Sequence, residues 1–115
     1  MYRSINKTLG FAPHLVPLIL NGNETVTYRL GDKYEFLKVG DKICIKNSSN
    51  GNIFGKIQIL EKSSTIFGAL PLTRKGHWTY ASREEQRNMW KKYYKKDIHD
   101  NDKVIILGFK LIEKY

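Results

Sequence analysis

Two apolar-alternating runs on either side of a loop of turn formers constrain this chain more than any other feature. Lys42 to Lys46 carries Ile43 and Ile45 at alternate positions, and Ile53 to Leu60 carries Ile53, Gly55, Ile57 and Ile59 at alternate positions. Strand side chains point to opposite faces in turn, so each run presents one apolar face. Asn47-Ser48-Ser49-Asn50-Gly51-Asn52 between them supplies the turn formers of a hairpin. A two-stranded hairpin is at best marginal in water, and further strands or a helix must cover its apolar face. Thr25-Val26-Thr27-Tyr28 is β-branched and aromatic and reads as one such strand. Lys103 to Leu111 reads as another, alternating less cleanly, as a strand buried on both faces would. Ile43, Ile45, Ile57, Ile59, Ile105 and Leu107 are the expected core. Val39-Gly40-Asp41 reads as a turn, and Ser63 to Thr73 is ambiguous, with a short strand or turn near Ile66-Phe67.

Two segments read as helices. Ser82-Arg83-Glu84-Glu85 has the form of a capping box, in which the serine oxygen accepts from an amide of the first turn. The helix is expected over Arg83–Lys95. Met89, Trp90, Tyr93 and Tyr94 fall on one arc, assigned to the core, and Lys91, Lys92, Lys95 and Lys96 fall on the other side. A short helix is expected over Leu15–Asn21, with Pro17 in its first turn and Gly22 at its C-terminal end. A chain of 115 residues suits one domain. The elements together predict a single α+β domain: a compact, mainly antiparallel β-barrel of five to six strands with two helices.

Charge narrows the function classes. Twenty Lys and Arg against eleven Asp and Glu give a formal charge of +9. Such a charge concentrates polyanions around a protein, and nucleic acid is the common one in a cytoplasm. The alternative is a lysine-rich surface that serves solubility. No run approaches the roughly 20 apolar residues of a membrane-spanning helix, so no membrane partner is expected. The three histidines, His14, His77 and His99, are far apart, and nothing has metal-ligand spacing, so neither a metal nor another cofactor is expected. The one cysteine, Cys44, lies in an apolar-alternating run and reads as a buried thiol. With no apolar signal core behind Met1 to Lys7, a cytoplasmic location is expected.

The stretch Leu18-Ile19-Leu20-Asn21-Gly22-Asn23-Glu24-Thr25-Val26-Thr27-Tyr28-Arg29 resembles the signature of ASCH domains, a short helix followed by Gly-x-Lys-x-x-Thr-x-Arg. Gly22, Thr27 and Arg29 match it, and Glu24 stands in place of the lysine. Leu37-Lys38-Val39-Gly40-Asp41 resembles the Leu-x-x-Gly-Asp turn that opens a barrel strand. Gly76-His77, followed by the capped helix ending in Lys92-Tyr93-Tyr94, is similar to a form of the family common in archaea. The likeness covers roughly Leu9 to Ile112. It implies a PUA-like barrel with a basic cleft between the first helix, the signature strand and the second helix, and RNA or a nucleotide as the ligand.

The residues of that cleft have chemistry of their own. Thr27 and Arg29, two apart on a strand, share a face. A hydroxyl beside a guanidinium suits a phosphate or a base edge. Arg29 has the alternative of an internal ion pair with Glu24 or Asp41, and Thr27 that of simple strand propensity. Gly22 permits close approach of backbone to a ligand. Arg74, Lys75, His77, Trp78 and Tyr80 interleave basic and aromatic side chains, a pattern that holds phosphates and stacks on bases. Trp78 and Tyr80 have the alternative of plugging the barrel end, which is the expectation for Tyr80. The expected ligand contacts are therefore Gly22, Glu24, Thr27, Arg29, Arg74, Lys75, His77 and Trp78. The resemblance also implies an alternative function, since the family includes amidohydrolases that deacylate acetylated cytidine with a lysine, a threonine nucleophile and a downstream glutamate. Glu24 replaces that lysine here, and Trp78 falls near where the glutamate is expected. A hydrolase acting on a modified nucleoside or RNA has Thr27, Glu24 and His77 as its candidate catalytic residues.

Overall fold

The computed structural model describes residues 4–77 and 79–115. Five strands, β1 (Ser4–Phe11), β2 (Val26–Leu30), β3 (Lys42–Asn47), β4 (Ile53–Ile66) and β5 (Lys103–Lys114), form one sheet in the order β1-β3-β4-β5-β2. The pairs β3–β4, β4–β5 and β5–β2 are antiparallel, and β1 joins β3 in parallel. A 3-10 turn at Pro13–Leu15 leads into the short helix α1 (Val16–Leu20). The second helix, α2 (Arg83–Tyr94), precedes β5. Among the described residues no helix is long and apolar enough to cross a membrane.

The hairpin forms as its alternation requires. Ile43 faces Ile57 and Ile45 faces Gly55 across β3 and β4, and Asn47 bonds back to Asn52 at the loop. Gly55 is needed there, because a Cβ would stand 2.7 Å from the carbonyl oxygen of Glu113 on β5. β4 runs on through Ser63 to Ile66, so the ambiguous segment begins as strand and ends in a 3-10 turn at Phe67–Ala69. Register shifts between Lys56 and Ile57 and between Ile59 and Glu61 interrupt its ladder with β5. Irregularities of this kind bend a strand and increase its twist, so the sheet curls into a half-barrel.

The curl divides the core. The six residues expected inside the barrel are fully buried, together with Leu9, Phe11 and Leu37. A second cluster, with Tyr28, Phe67, Trp90, Val104 and Ile106, lies beneath α2. Strand β5 serves both: Val104 and Ile106 pack in the second cluster and Ile105 and Leu107 in the first. Its continuous apolar run is therefore that of a strand covered on both faces.

Helix α2 starts as its sequence dictates. Ser82 Oγ accepts the Glu85 amide at 3.1 Å, and Lys95, in the left-handed conformation, closes the C-terminus by donating its amide to Lys91. Its buried strip is narrower than the aromatic arc suggested. Gln86 and Trp90, four apart, are buried and Tyr94 is half-buried, but Met89 is 39% and Tyr93 55% exposed. These last two do not belong to the core; they line a cavity instead. Cys44 also departs from expectation. It alternates with Ile43 and Ile45, which places it on the outer face, half-buried and 3.9 Å from the Tyr115 hydroxyl.

Candidate functional site

Among the described residues no ladder joins β1 to β2, so the half-barrel has a seam between these two edge strands. One side chain crosses it. Arg29 on β2 donates through Nη2 to the Gly10 carbonyl on β1 at 2.8 Å, and through Nε to Thr27 Oγ1 at 3.0 Å. Its guanidinium lies 4.8 Å from the Phe11 ring and 5.4 Å from the Tyr34 ring. These contacts replace the ion pair with Glu24 or Asp41 that was the alternative reading. Although 9% exposed, Arg29 has no carboxylate within ion-pairing distance among the described residues. Asp41 instead accepts the Lys38 amide at 2.9 Å and holds the Lys38–Asp41 turn.

Beside Arg29 the seam opens into a cavity of about 170 Å³. Thr27 and Arg29 reach it from one face of β2 and Tyr28 from the other, because the cavity runs along the free edge of that strand. Phe11 and His14 line it from the β1 side, Glu24 from the turn after α1, His77 and Tyr80 from the loop before α2, and Met89 and Tyr93 from α2 itself. Tyr94 closes the helix side, and its hydroxyl accepts the Leu30 amide at 3.1 Å, satisfying a donor on the β2 edge.

Local backbone chemistry places the polar groups. The amides of Asn23 and Glu24 both bond to the Leu18 carbonyl, and Gly22 between them and the helix takes φ +84°. That left-handed turn ends α1 and carries Glu24 inward. Glu24 is 5% exposed and accepts no side-chain hydrogen bond among the described residues. Burial pushes its carboxyl up from 4.5 to about 7. Arg29 contributes nothing that lowers this value, so the two groups share the cavity without pairing.

The loop before α2 is fastened to the start of β2. The Gly76 carbonyl accepts the amides of Thr25 at 2.7 Å and Val26 at 3.1 Å, and Leu72 and Tyr80 close the loop by a backbone bond. Gly76 has φ +84°, and a Cβ on it would stand 2.1 Å from Thr25 Oγ1. Only glycine suits this approach. The docking lays His77 on Tyr28, with centroids 4.0 Å apart and planes within 18°. Tyr80 follows at 6.1 Å from His77 and accepts from Trp90 Nε1 at 3.1 Å. The buried Tyr28 hydroxyl has no hydrogen-bond partner among the described residues, and its burial raises its pKa.

Of the eight residues expected at the site, the fold gathers Glu24, Thr27, Arg29 and His77 around one cavity. Gly22 is exposed and shapes the turn that presents Glu24 rather than lining the cavity. Arg74 is ion-paired with Glu61, and Lys75 is exposed on the loop; neither lines the cavity. Trp78 lies outside the described residues. Sequence reasoning missed Phe11, His14 and the wall formed by Tyr28, assigned Met89 and Tyr93 to the core, and placed Tyr80 in the basic–aromatic segment with core packing as its expected role. Among the described residues no group of His, Cys, Asp or Glu side chains could hold a metal ion.

No family model and no curated protein matches the sequence. Solved structures do match the fold. An ASCH domain from Lactobacillus crispatus superposes with a TM-score of 0.65 at 16% identity, covering 97% of this chain and 80% of that one. A protein from Pyrococcus furiosus gives 0.61 at 17% identity, covering 97% and 98%. A protein from Enterococcus faecalis gives 0.69 at 16% identity, covering 89% and 69%. The chain shares its fold with these proteins, an ASCH domain among them.

Proposed function

We propose that this ASCH-type half-barrel binds RNA or a nucleotide by taking an unpaired base into the seam cavity. The observation that carries the reading is Arg29, a buried guanidinium without a carboxylate among the described residues, in the wall of an aromatic-lined cavity. A buried cation without a counter-ion is costly, and ring faces and neutral acceptors offset only part of that cost. An anionic ligand, or a base edge rich in acceptors, would use its remaining donors. The stacked Tyr28 and His77 rings and Tyr80 offer faces to a base, and the Glu24 carboxyl offers a polar partner at its edge. The cavity is too small for a duplex, so recognition would be of a single-stranded or flipped-out base.

Titration of folded variants against single-stranded RNA tests this. Arg29→Ala is expected to weaken binding by about 1–3 kcal/mol, the loss typical of a charge-assisted contact. Trp78→Ala, should its ring stack on a base, is expected to cost a similar amount. Lys91→Ala, on the outer face of α2, and Lys95→Ala, at its C-terminal cap, should each cost much less. Wild-type affinity in Arg29→Ala, with large losses in the α2 lysine variants, would move binding to a nonspecific basic surface.

One observation favours a hydrolase as the second reading. Glu24, with a carboxyl that titrates at about 7, shares the cavity with the Thr27 hydroxyl. A group of that pKa is suited to accept a proton near neutral pH. A carboxylate at the position of the signature lysine nevertheless lacks the positive charge that would stabilise a developing oxyanion. Little or no deacetylation of 4-acetylcytidine is therefore expected from the purified protein. Efficient turnover that disappears in Thr27→Ala would favour the hydrolase.

A further inference from the structure

A second depression continues the cavity on the other side of Arg29. Gly10, Arg29, Tyr93 and Tyr94 line both. It is an open groove of about 510 Å³, and its cations are Lys7, Lys33, Lys46 and Arg29. No carboxylate lines it. The neighbouring acids are already engaged: Asp32 pairs with Lys103, and Glu35 with Lys62 and Lys103. Lys7, Lys33 and Lys46 make no ion pair among the described residues, as is true of most lysines here; what sets these three apart is that they converge on one groove. Aromatic faces support two of the groove lysines. Lys7 Nζ stands 4.8 Å from the centre of the Phe36 ring and Lys33 Nζ 5.6 Å from that of Tyr34. The Lys46 stem passes over Gly10, where a Cβ would lie 3.7 Å from Lys46 Cε.

We infer that this groove is the track for the sugar–phosphate backbone of a single strand whose base occupies the cavity, with Arg29 at the threshold between them. The inference rests on the cavity being a base pocket, and adds where the strand goes: past Gly10 towards the start of β1 and the segment after β2. The loop carrying Arg74 and Lys75 is the less suitable route, since Arg74 is already held by Glu61. Four unpaired cations along one groove, with no acid among them, form the field that a chain of phosphates neutralises by counterion release. A mononucleotide reaches only the threshold, whereas a longer strand reaches the groove.

The experiment compares two ligand lengths, the 5′-monophosphates of adenosine, cytidine and uridine and the matching single-stranded RNA heptamers. The groove variant is Lys7→Gln with Lys33→Gln and Lys46→Gln, and the control is Lys91→Gln with Lys92→Gln and Lys95→Gln, which removes equal charge from α2. Thermal melts confirm that both fold. For wild type, contact with three to five phosphates gives a log–log salt slope of about −2 to −3.5 for the heptamers. The groove variant should bind the heptamers at least about tenfold more weakly at low salt, with a slope shallower by about 2, because each lost contact on a single strand removes about 0.7. Its affinity for the best mononucleotide should stay within about twofold of wild type, as no cavity group is altered. Equal losses in groove and control variants would overturn the track while leaving a mononucleotide-binding cavity intact. Heptamer binding that needs the groove lysines, with no mononucleotide bound at all, would overturn the base pocket and so the joint placement proposed here.

Discussion

Glu24 shows how one residue can carry information that its neighbours in sequence do not. It sits where the ASCH signature has a lysine, and the turn that begins at Gly22 places it in the cavity with almost no exposure. Its carboxyl, shifted from 4.5 to about 7 by desolvation, is easier to protonate in the folded chain than in the unfolded one. The folded state therefore binds the proton more tightly, and this favours folding at low pH. The contribution is complete below about 4.5 and is lost as pH rises through about 7. Glu24→Gln removes the titration. The difference in unfolding free energy between variant and wild type should grow between pH 4.5 and pH 7, towards a limit of about 3 kcal/mol at higher pH, at about 1.4 kcal/mol per pKa unit. Urea melts of both proteins across that range read it directly, and parallel stability curves would show that Glu24 is well solvated. Arg29 poses the complementary case. Its position in the sequence and its face on β2 were legible, whereas its bond to Gly10 was not, because that bond exists only where two edge strands meet.

The elements differ in how much of themselves they reveal locally. Helix α2 and the β3–β4 hairpin declare themselves through a serine cap, a turn-rich loop and period-two alternation, all of which act over a few residues. Strand β1 was missed for the opposite reason. Its sequence, SINKTLGF, mixes polar and apolar residues without a long alternating run, and its extended form is held by parallel pairing with β3, some forty residues away in sequence. The far half of β4 was ambiguous because polar, mostly exposed residues there lack a buried face to alternate with. The loop before α2 combines both kinds of information. Gly76 suggests a turn in the sequence, but only the fold shows the Thr25 hydroxyl where a side chain would go. Gly76→Ala should destabilise the protein by about 1–3 kcal/mol, through left-handed strain and the collision with Thr25. Adding Thr25→Ala should recover the collision and leave the strain. The comparison is made by chemical denaturation, and a Gly76→Ala protein as stable as wild type would mean that the loop is not fastened to β2 as described.

At the scale of the whole molecule, the site is a consequence of incomplete closure. A sheet ordered β1-β3-β4-β5-β2 curls until its edges approach, and the free edge of each must be satisfied or covered. Arg29 bridges the gap at one point and the Tyr94 hydroxyl caps the Leu30 amide at another. Between these struts remains a cavity with aromatic walls, and beyond them the lysine groove. The net charge of +9 led to the expectation of a polyanion partner, but carried no position, since lysines and arginines are spread along the whole chain. On the function proposed above, the seam is what converts a basic surface into a located site. The measurement that bears most directly on this claim is amide and aromatic chemical-shift mapping of the protein titrated with a short single-stranded RNA at low salt. Saturable shifts should centre on Glu24, Thr27, Tyr28, Arg29, His77 and Tyr80 and extend to Lys7, Lys33 and Lys46. Shifts confined to the α2 lysines Lys91, Lys92 and Lys95, with the seam residues unmoved at saturation, would contradict it.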